Sequence, residues 1–374
     1  MYDLNRNMNE GLHVLRGLAA VSVIFYHAAH MPPYSDVGAL TVFHEFGAGV
    51  TLFFLLSGFS LTLSNIEKVQ ERGWTKSYTL KRFFRIAPLW WFMVLLTMGY
   101  HYLEYGKIYS MGEIIRHIVP IFGLSPGHHE SFVWAGWTIG VEVIFYTVFP
   151  ILLAVLGRSI LSWLGFTALA AIISVNFVSG LPEGIPESYK YMAFPRQMVV
   201  FCIGVLLFLI VSRIPGSYLM RTRQIALILA AGLFYVWTLQ HRSPGQNIML
   251  YPVIFKAVAL GVVIIFFYSV RSILANPVTK FWGDASYAIY LLHPIVVHET
   301  KFVHAWLSEQ LRSVELAFCA YVSVVLIIVC ILAKIVHSIL EEPLYKYGRT
   351  LASLNAGARG HETNSAPNGQ GSKS

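Results

Sequence analysis

Residues 12–30, LHVLRGLAAVSVIFYHAAH, form an apolar run long enough to cross a bilayer as one helix, with an arginine and a histidine inside it. Ionisable groups in such a run are functional candidates by default. Arg16 and His27 are eleven residues apart, about three whole turns, so both side chains lie on one helix face roughly 16 Å apart along the axis. The plainer reading is an arginine that snorkels at the helix start and a histidine bonded to a neighbouring helix. No small-residue cleavage site follows the run, so it reads as a retained helix rather than a removed signal peptide.

Outward from this stretch, apolar windows of similar length repeat along most of the 374 residues. Hydrophobic residues make up 56% of the chain and charged residues 12%, where soluble domains carry about 25% charged residues. The expectation is an all-α membrane protein, a polytopic bundle of about ten transmembrane helices. The spans fall near 12–30, 47–65, 84–104, 136–157, 159–179, 194–212, 224–241, 250–268, 285–300 and 313–336. Residues 1–347 then form one transmembrane domain, and residues 348–374, poor in large apolar groups, read as a disordered cytoplasmic tail.

With the N-terminus inside, seventeen Lys and Arg fall on the inner set of loops and seven on the outer set. That bias predicts N-in and C-in, as an even number of spans requires. The formal net charge of +8 follows from topology and needs no nucleic-acid partner. Cys202, Cys319 and Cys330 sit in apolar spans and imply neither a disulfide framework nor a metal set.

Gly58, in GVTLFFLLSGFSL at 49–61, reads as a packing glycine that lets two helix backbones approach. In LKRFFRIAPLWW at 80–91, Arg82 and Arg85 are three residues apart and share a face beside Lys81. Two readings stand: a positive-inside anchor with an aromatic belt of Trp90 and Trp91, and a pair of guanidinium forks suited to a polyanionic phosphate ligand. The region 105–135 reads as a solvated outer loop in which His117 and the adjacent His128 and His129 lack metal-site spacing. Glu142, about six residues inside the fourth span, needs a partner. By helix rise, His27 lies ~22 Å from the inner face and Glu142 ~9 Å from the outer one, so both reach one level of a ~30 Å core. Glu142 then either orients the imidazole or bonds a Trp, Tyr or Ser on another helix.

Arg196 reads as an anchor at the outer interface and Lys256 as an unpaired, snorkelling lysine. In DASYAIYLLHPIVVH at 284–298, Asp284 is placed as an N-cap, and Tyr287, Tyr290 and His293 form a drifting polar stripe able to line a cavity.

The set of Arg16 and His27 with GVTLFFLLSGF at 49–59, KRFFRIAP at 81–88, WTIGVEVIFY at 137–146, SYAIYLLH at 286–293 and EEP at 341–343 resembles the acyltransferase-3 family of integral-membrane O-acyltransferases. Thr138 stands where the family usually has serine, which keeps a hydroxyl. The resemblance implies transfer of an acyl group, commonly acetyl, from cytoplasmic acyl-coenzyme A to a hydroxyl of an envelope or exported carbohydrate, such as exopolysaccharide or a glycolipid, at the inner membrane. It implies His27 as base, Arg16 as its companion, and Arg82 with Arg85 at the acetyl-CoA or other acyl-CoA site; the depth argument adds Glu142 to the catalytic candidates, and Lys81 joins the donor-site candidates beside the two arginines. Trp137, Tyr290, His293 and Arg196 are the candidates for contact with the acceptor. The expected partners are acyl-CoA, the acceptor and the lipid bilayer, with no metal and no nucleic acid. The alternative is a secondary transporter that uses the buried Arg, His and Glu for proton coupling, a class that favours internal repeats and paired broken helices.

Overall fold

The computed structural model describes residues 2–31, 34, 37–124, 126, 129–215, 218, 225, 229, 232, 250–269 and 275–362. Among these the chain is helical with no strand. The helices are α1 (Tyr2–Ala29), α2 (Ala48–Asn65), α3 (Trp74–Tyr105), α4 (Met111–Ile118), α5 (Trp137–Leu156), α6 (Ile160–Ser179), α7 (Glu187–Met192), α8 (Phe194–Val211), α9 (Leu250–Ser269), α10 (Pro277–Asp284), α11 (Ser286–Glu299), α12 (Lys301–Gln310), α13 (Val314–Val336) and α14 (Glu342–Glu362). Seven described helical segments are long and apolar enough to cross a membrane, and the apolar Val253–Ser269 of α9 is shorter. This is an all-α membrane protein. Most of the seventh expected span, 224–241, lies outside the described residues, as do 363–374 and His128. Helix α14 carries on to Glu362, past the expected start of the tail.

Small residues set the packing. A Cβ on Gly58 would run into the Phe201 carbonyl, and one on Gly204 into the Leu55 carbonyl, so α2 and α8 touch backbone to backbone. Phe201 fills the space beside that contact, stacked 3.9 Å from Phe145 and tilted against Phe54 at 4.9 Å. A Cβ on Gly17 would stand 2.7 Å from Trp282 Cβ, and one on Gly283 would meet His13, which seats α10 on the middle of α1. Helix α3 starts well before the expected Phe84, so KRFFR is helical and its arginines project from a continuous element through Pro88. It ends at Gly106, whose φ of 62° closes a C-cap with Gly106 and Lys107 amides on the Tyr102 and His101 carbonyls.

Three local expectations are corrected. Asp284 closes α10 and pairs with His13 Nε2 at 3.0 Å, while α11 has no side-chain N-cap, because α10 and α11 abut with no loop between them. The 105–135 region holds α4, capped by the reciprocal Ser110 and Glu113 bonds, and His117 on it is buried with its ring stacked 3.7 Å from Phe132. Lys256 does not snorkel away from the bundle; it stands within electrostatic reach of Glu45.

The bundle has two distinct ends. Contacts of Arg158 with Glu67 and with the Arg213 side chain lie at one end, which also carries Lys346 and Arg349. Contacts of His129 with Ser188 and of Tyr100 with Glu299 lie at the other. We call these the basic end and the aromatic end.

Candidate active site

A cavity of about 660 Å³ opens at the basic end and runs between α1, α2, α3, α5, α10, α11, α13 and α14. Its size is that of a small-molecule or cofactor site. Seven Lys and Arg line it (Arg16, Arg82, Arg85, Lys280, Lys334, Lys346 and Arg349) against the carboxylates Glu142, Asp284 and Glu342. Lys346 is paired with Glu342 at 2.6 Å, whereas Arg82 has no ion pair or hydrogen bond among the described residues and its Nε is buried without a partner. The Arg82 guanidinium instead lies 6.0 Å and 5.9 Å from the Tyr78 and Tyr146 rings. A cation held over aromatic faces keeps its donors available to an incoming anion.

Arg85 is arranged differently. It donates to Glu341 Oε1 at 2.5 Å, the other Glu341 oxygen meets His337 Nδ1 at 3.0 Å, and the Glu341 side chain is 1% exposed. Glu341 ends the π-helical turn His337–Glu341 that joins α13 to α14. One extra residue in that turn re-aims the carboxylate towards α3, as π-turns often do at functional sites. Arg85 still lines the cavity, but its charge is offset within the protein. Lys81 is half-buried on α3 and is not among the lining residues.

Deeper in, Arg16 stands in electrostatic contact with Arg85, Tyr146, Glu142 and Arg82. The Ser57 hydroxyl donates to Glu142 Oε1 at 2.7 Å and lies 3.2 Å from the Tyr146 hydroxyl. Of the two readings open for Glu142, the structure takes the partner on another helix, and no His27–Glu142 contact forms. Shared depth is only one coordinate. Glu142 faces α2, while His27 faces α11.

The cavity ends at Val50, Phe53, Thr138 and Tyr290. Phe53 and Tyr290 meet edge to face at 5.5 Å. The α2 residue beside Val50, Gly49, abuts Ala19, Ser22 and Val23, so the end of the cavity is about one helical turn short of His27. The link beyond it is short. His293 Nδ1 bonds the Tyr290 carbonyl at 2.6 Å, and the His293 ring lies 5.1 Å from that of His27. His293 is fully buried and its Nε2 has no hydrogen-bond partner. Between Arg82 and His27 the cavity is therefore interrupted at Phe53 and Tyr290.

Two acceptor candidates lie elsewhere. Trp137 packs 6.0 Å from Phe54 and 5.7 Å from Tyr191, outside the cavity. Arg196 is 1% exposed and lies 6.0 Å from the Tyr191 ring, so it is a core residue and not an interfacial anchor. Among the described residues no group of three His, Cys, Asp or Glu side chains is placed to hold a metal ion. The reading from sequence missed Glu341, Lys346 and Arg349. Glu342, Lys346 and Arg349 recur at i, i+4 and i+7, the spacing of one helix face, and that was the available signal.

A family described as an acyltransferase domain matches residues 9–334. The chain belongs to the acyltransferase-3 family. It is thus an acyltransferase. It is similar to an Acidianus two-tailed virus protein, ORF330, whose name describes an acetyltransferase, with 26% identity over 78% of this chain and 84% of that one. It is also similar to nodulation protein 10 of Rhizobium leguminosarum bv. viciae, 27% identical over 81% of this chain and 89% of that protein. The exopolysaccharide production protein ExoZ of Rhizobium meliloti is 24% identical over 81% of this chain and 90% of its own length. No solved structure matches the chain.

Proposed function

We propose that this acyltransferase takes an acyl group, acetyl in the simplest case, from acyl-coenzyme A at its basic end and passes it to a hydroxyl of an envelope or exported carbohydrate near its aromatic end. The basic end faces the cytoplasm of the inner membrane in this reading, in line with the loop charge bias. The relative named for exopolysaccharide production supports the acceptor class. The observation that supports the donor most is the line of cations from Lys346 and Arg349 past Arg82 to Arg16, in excess of the carboxylates around them. Coenzyme A is a polyanion with a long, narrow pantetheine arm. Arg82 and its neighbours hold the phosphates by charge-assisted bonds, and the arm lies along Arg16 and Ser57 towards Phe53 and Tyr290.

His27 is the base. His293 donates from Nδ1 to the Tyr290 carbonyl, which leaves its Nε2 lone pair on the unpartnered side, beside the His27 ring. No hydrogen bond joins the two rings, 5.1 Å apart between centroids; a small approach would let that lone pair accept from one His27 nitrogen and leave the opposite nitrogen free to take the proton, as in a base and its orienter. The acceptor oxygen attacks the thioester carbonyl as its proton moves to His27. The carbon–sulfur bond then breaks, and the thiolate leaves with the proton returned from the imidazolium. Arg16, roughly 16 Å from His27 along α1, offsets negative charge along the donor's route rather than at the reacting carbonyl. The Phe53–Tyr290 pair has to separate for the thioester to arrive, so donor entry and exposure of His27 are coupled.

Release of free coenzyme A thiol from acetyl-CoA by the purified protein tests this reading. Acceptor-dependent release that is lost in His27→Ala supports it, and ligand-driven proton flux without thiol release would favour the transporter class instead.

A further inference from the structure

At the aromatic end, away from the cavity, α3, the α3–α4 connection, the segment before α5 and the end of α11 bring five rings around one carboxylate. The Trp134 ring lies 4.8 Å from His298, 6.5 Å from Tyr100 and 6.4 Å from His101, whose Nδ1 bonds the Tyr109 hydroxyl. The Tyr100 hydroxyl donates to Glu299 Oε1 at 2.5 Å, and His298 Nδ1 stands 2.9 Å from the same oxygen. Glu299 Oε2 has no partner among the described residues, although the side chain is 50% exposed. One carboxylate oxygen is thus pinned and the other is presented to the exterior, beside half-buried aromatic faces.

An interfacial aromatic belt does not account for this arrangement. Belt residues spread around the bundle and send their polar tips to headgroups, whereas here the tips of Tyr100, His101, Tyr109 and His298 bond one another or Glu299. An exposed carboxylate is also poorly placed against anionic lipid. A flat apolar ring face next to a free carboxylate oxygen is the chemistry that suits a pyranose. The C–H face of the sugar covers the ring, and a hydroxyl donates to the carboxylate.

The cluster is tied to the reaction site. His298 lies five residues beyond His293 on α11, ~7.5 Å along the axis. Ala135, next to Trp134, has φ 60°, and its carbonyl accepts from the Tyr290 hydroxyl at 3.3 Å and the Thr138 hydroxyl at 3.1 Å. A non-glycine residue held in that region is strained, and these two bonds keep it there.

We propose that Trp134, Tyr100, His298 and Glu299 form a second saccharide subsite, which holds a sugar ring of the acceptor removed from the one that is acylated. The proposal rests on the carbohydrate reading above. Saturation-transfer NMR of the protein in nanodiscs with soluble neutral oligosaccharides of two to eight units tests binding without catalysis. The wild type is expected to transfer saturation to sugar C–H protons, and Trp134→Ala and Glu299→Gln to lose it. Trp306→Ala, on an exposed ring of α12 outside the cluster, is expected to retain it. Trp134→Phe and Glu299→Gln decide the matter if Trp134→Ala does not fold. In the transfer assay the same variants are expected to raise the acceptor KM tenfold or more with a smaller change in kcat. Saccharide binding without any acyl transfer would sink the proposed function and leave the subsite standing. No saturation transfer from the wild type, an equal signal in Trp134→Ala, or an unchanged acceptor KM in an active enzyme would overturn the subsite. Binding of short-chain phosphatidylglycerol in place of the sugar, abolished by the same variants, would overturn it too, in favour of a lipid headgroup.

Discussion

The two ends of the reaction path are built from opposite materials. On the basic side, cations outnumber carboxylates, and Arg82 is left with donors that nothing in the described protein satisfies. On the aromatic side, beyond Phe53 and Tyr290, the groups are rings: His27 against His293, Tyr26 against His27 at 5.0 Å and His30 against His44 at 4.3 Å. The first arrangement suits binding of a fixed multiple charge, the second the movement of a proton between groups that are neutral for most of the cycle. A buried donor without a partner is costly, so the unpartnered Nε of the half-buried Arg82 marks a place suited to an anionic ligand.

The largest expected effect breaks the aromatic side. His27→Ala should lower kcat for transfer by about 10²–10⁴-fold with acyl-CoA affinity nearly unchanged, as read by thiol release and by donor titration. A variant that retains near wild-type turnover would remove His27 from the chemistry. Next, Glu341→Ala should cost about 3–5 kcal/mol of stability, because it leaves Arg85 uncompensated where an ion pair was buried. Thermal unfolding in detergent measures this, and Glu341→Gln should recover part of the loss.

A smaller effect sharpens the comparison within the basic side. Arg82→Ala should weaken acyl-CoA binding by about 1.5–3 kcal/mol. Arg85→Ala should weaken it less, since Glu341 already offsets the Arg85 charge. Calorimetric titration of coenzyme A ranks the two, and the reverse order would mean that the Glu341 pair opens on binding.

The smallest lies outside both regions, on α4. Ser110→Ala should cost about 1 kcal/mol through loss of the cap. The Ser110 backbone and side-chain bonds hold the Glu113 carboxyl below its ordinary range. Glu113 therefore contributes above the ordinary carboxylate pKa, and its contribution disappears as pH falls through the lowered value. Amide exchange over residues 111–118 should rise on acidification in the wild type and show less pH dependence in Ser110→Ala.

Much of this frame was legible in the sequence because helix periodicity gives height and face. Arg16 and His27, the KRFFR arginines and the tight contact at Gly58 were placed by spacing and residue size alone. What the sequence withheld was azimuth. Glu142 and His27 share a depth, yet which neighbour each faces depends on how α1, α2, α5 and α11 rotate about their contacts, which is set by close approaches such as Gly17 to Trp282. The Arg85–Glu341 pair spans 256 residues of sequence and forms through a π-turn that periodicity does not announce. The α4 cap was readable as Ser110 followed three residues later by Glu113.

The most direct test of the division between the two ends is a structure of the protein with a non-hydrolysable acetyl-CoA analogue. The expected result places the phosphates among Arg82, Lys346 and Arg349, lays the pantetheine arm past Arg16, moves Phe53 and Tyr290 apart, and brings the acyl carbonyl beside His27. An analogue bound outside the cavity, or one seated at Arg82 with its acyl end pointing away from His27, would contradict the account.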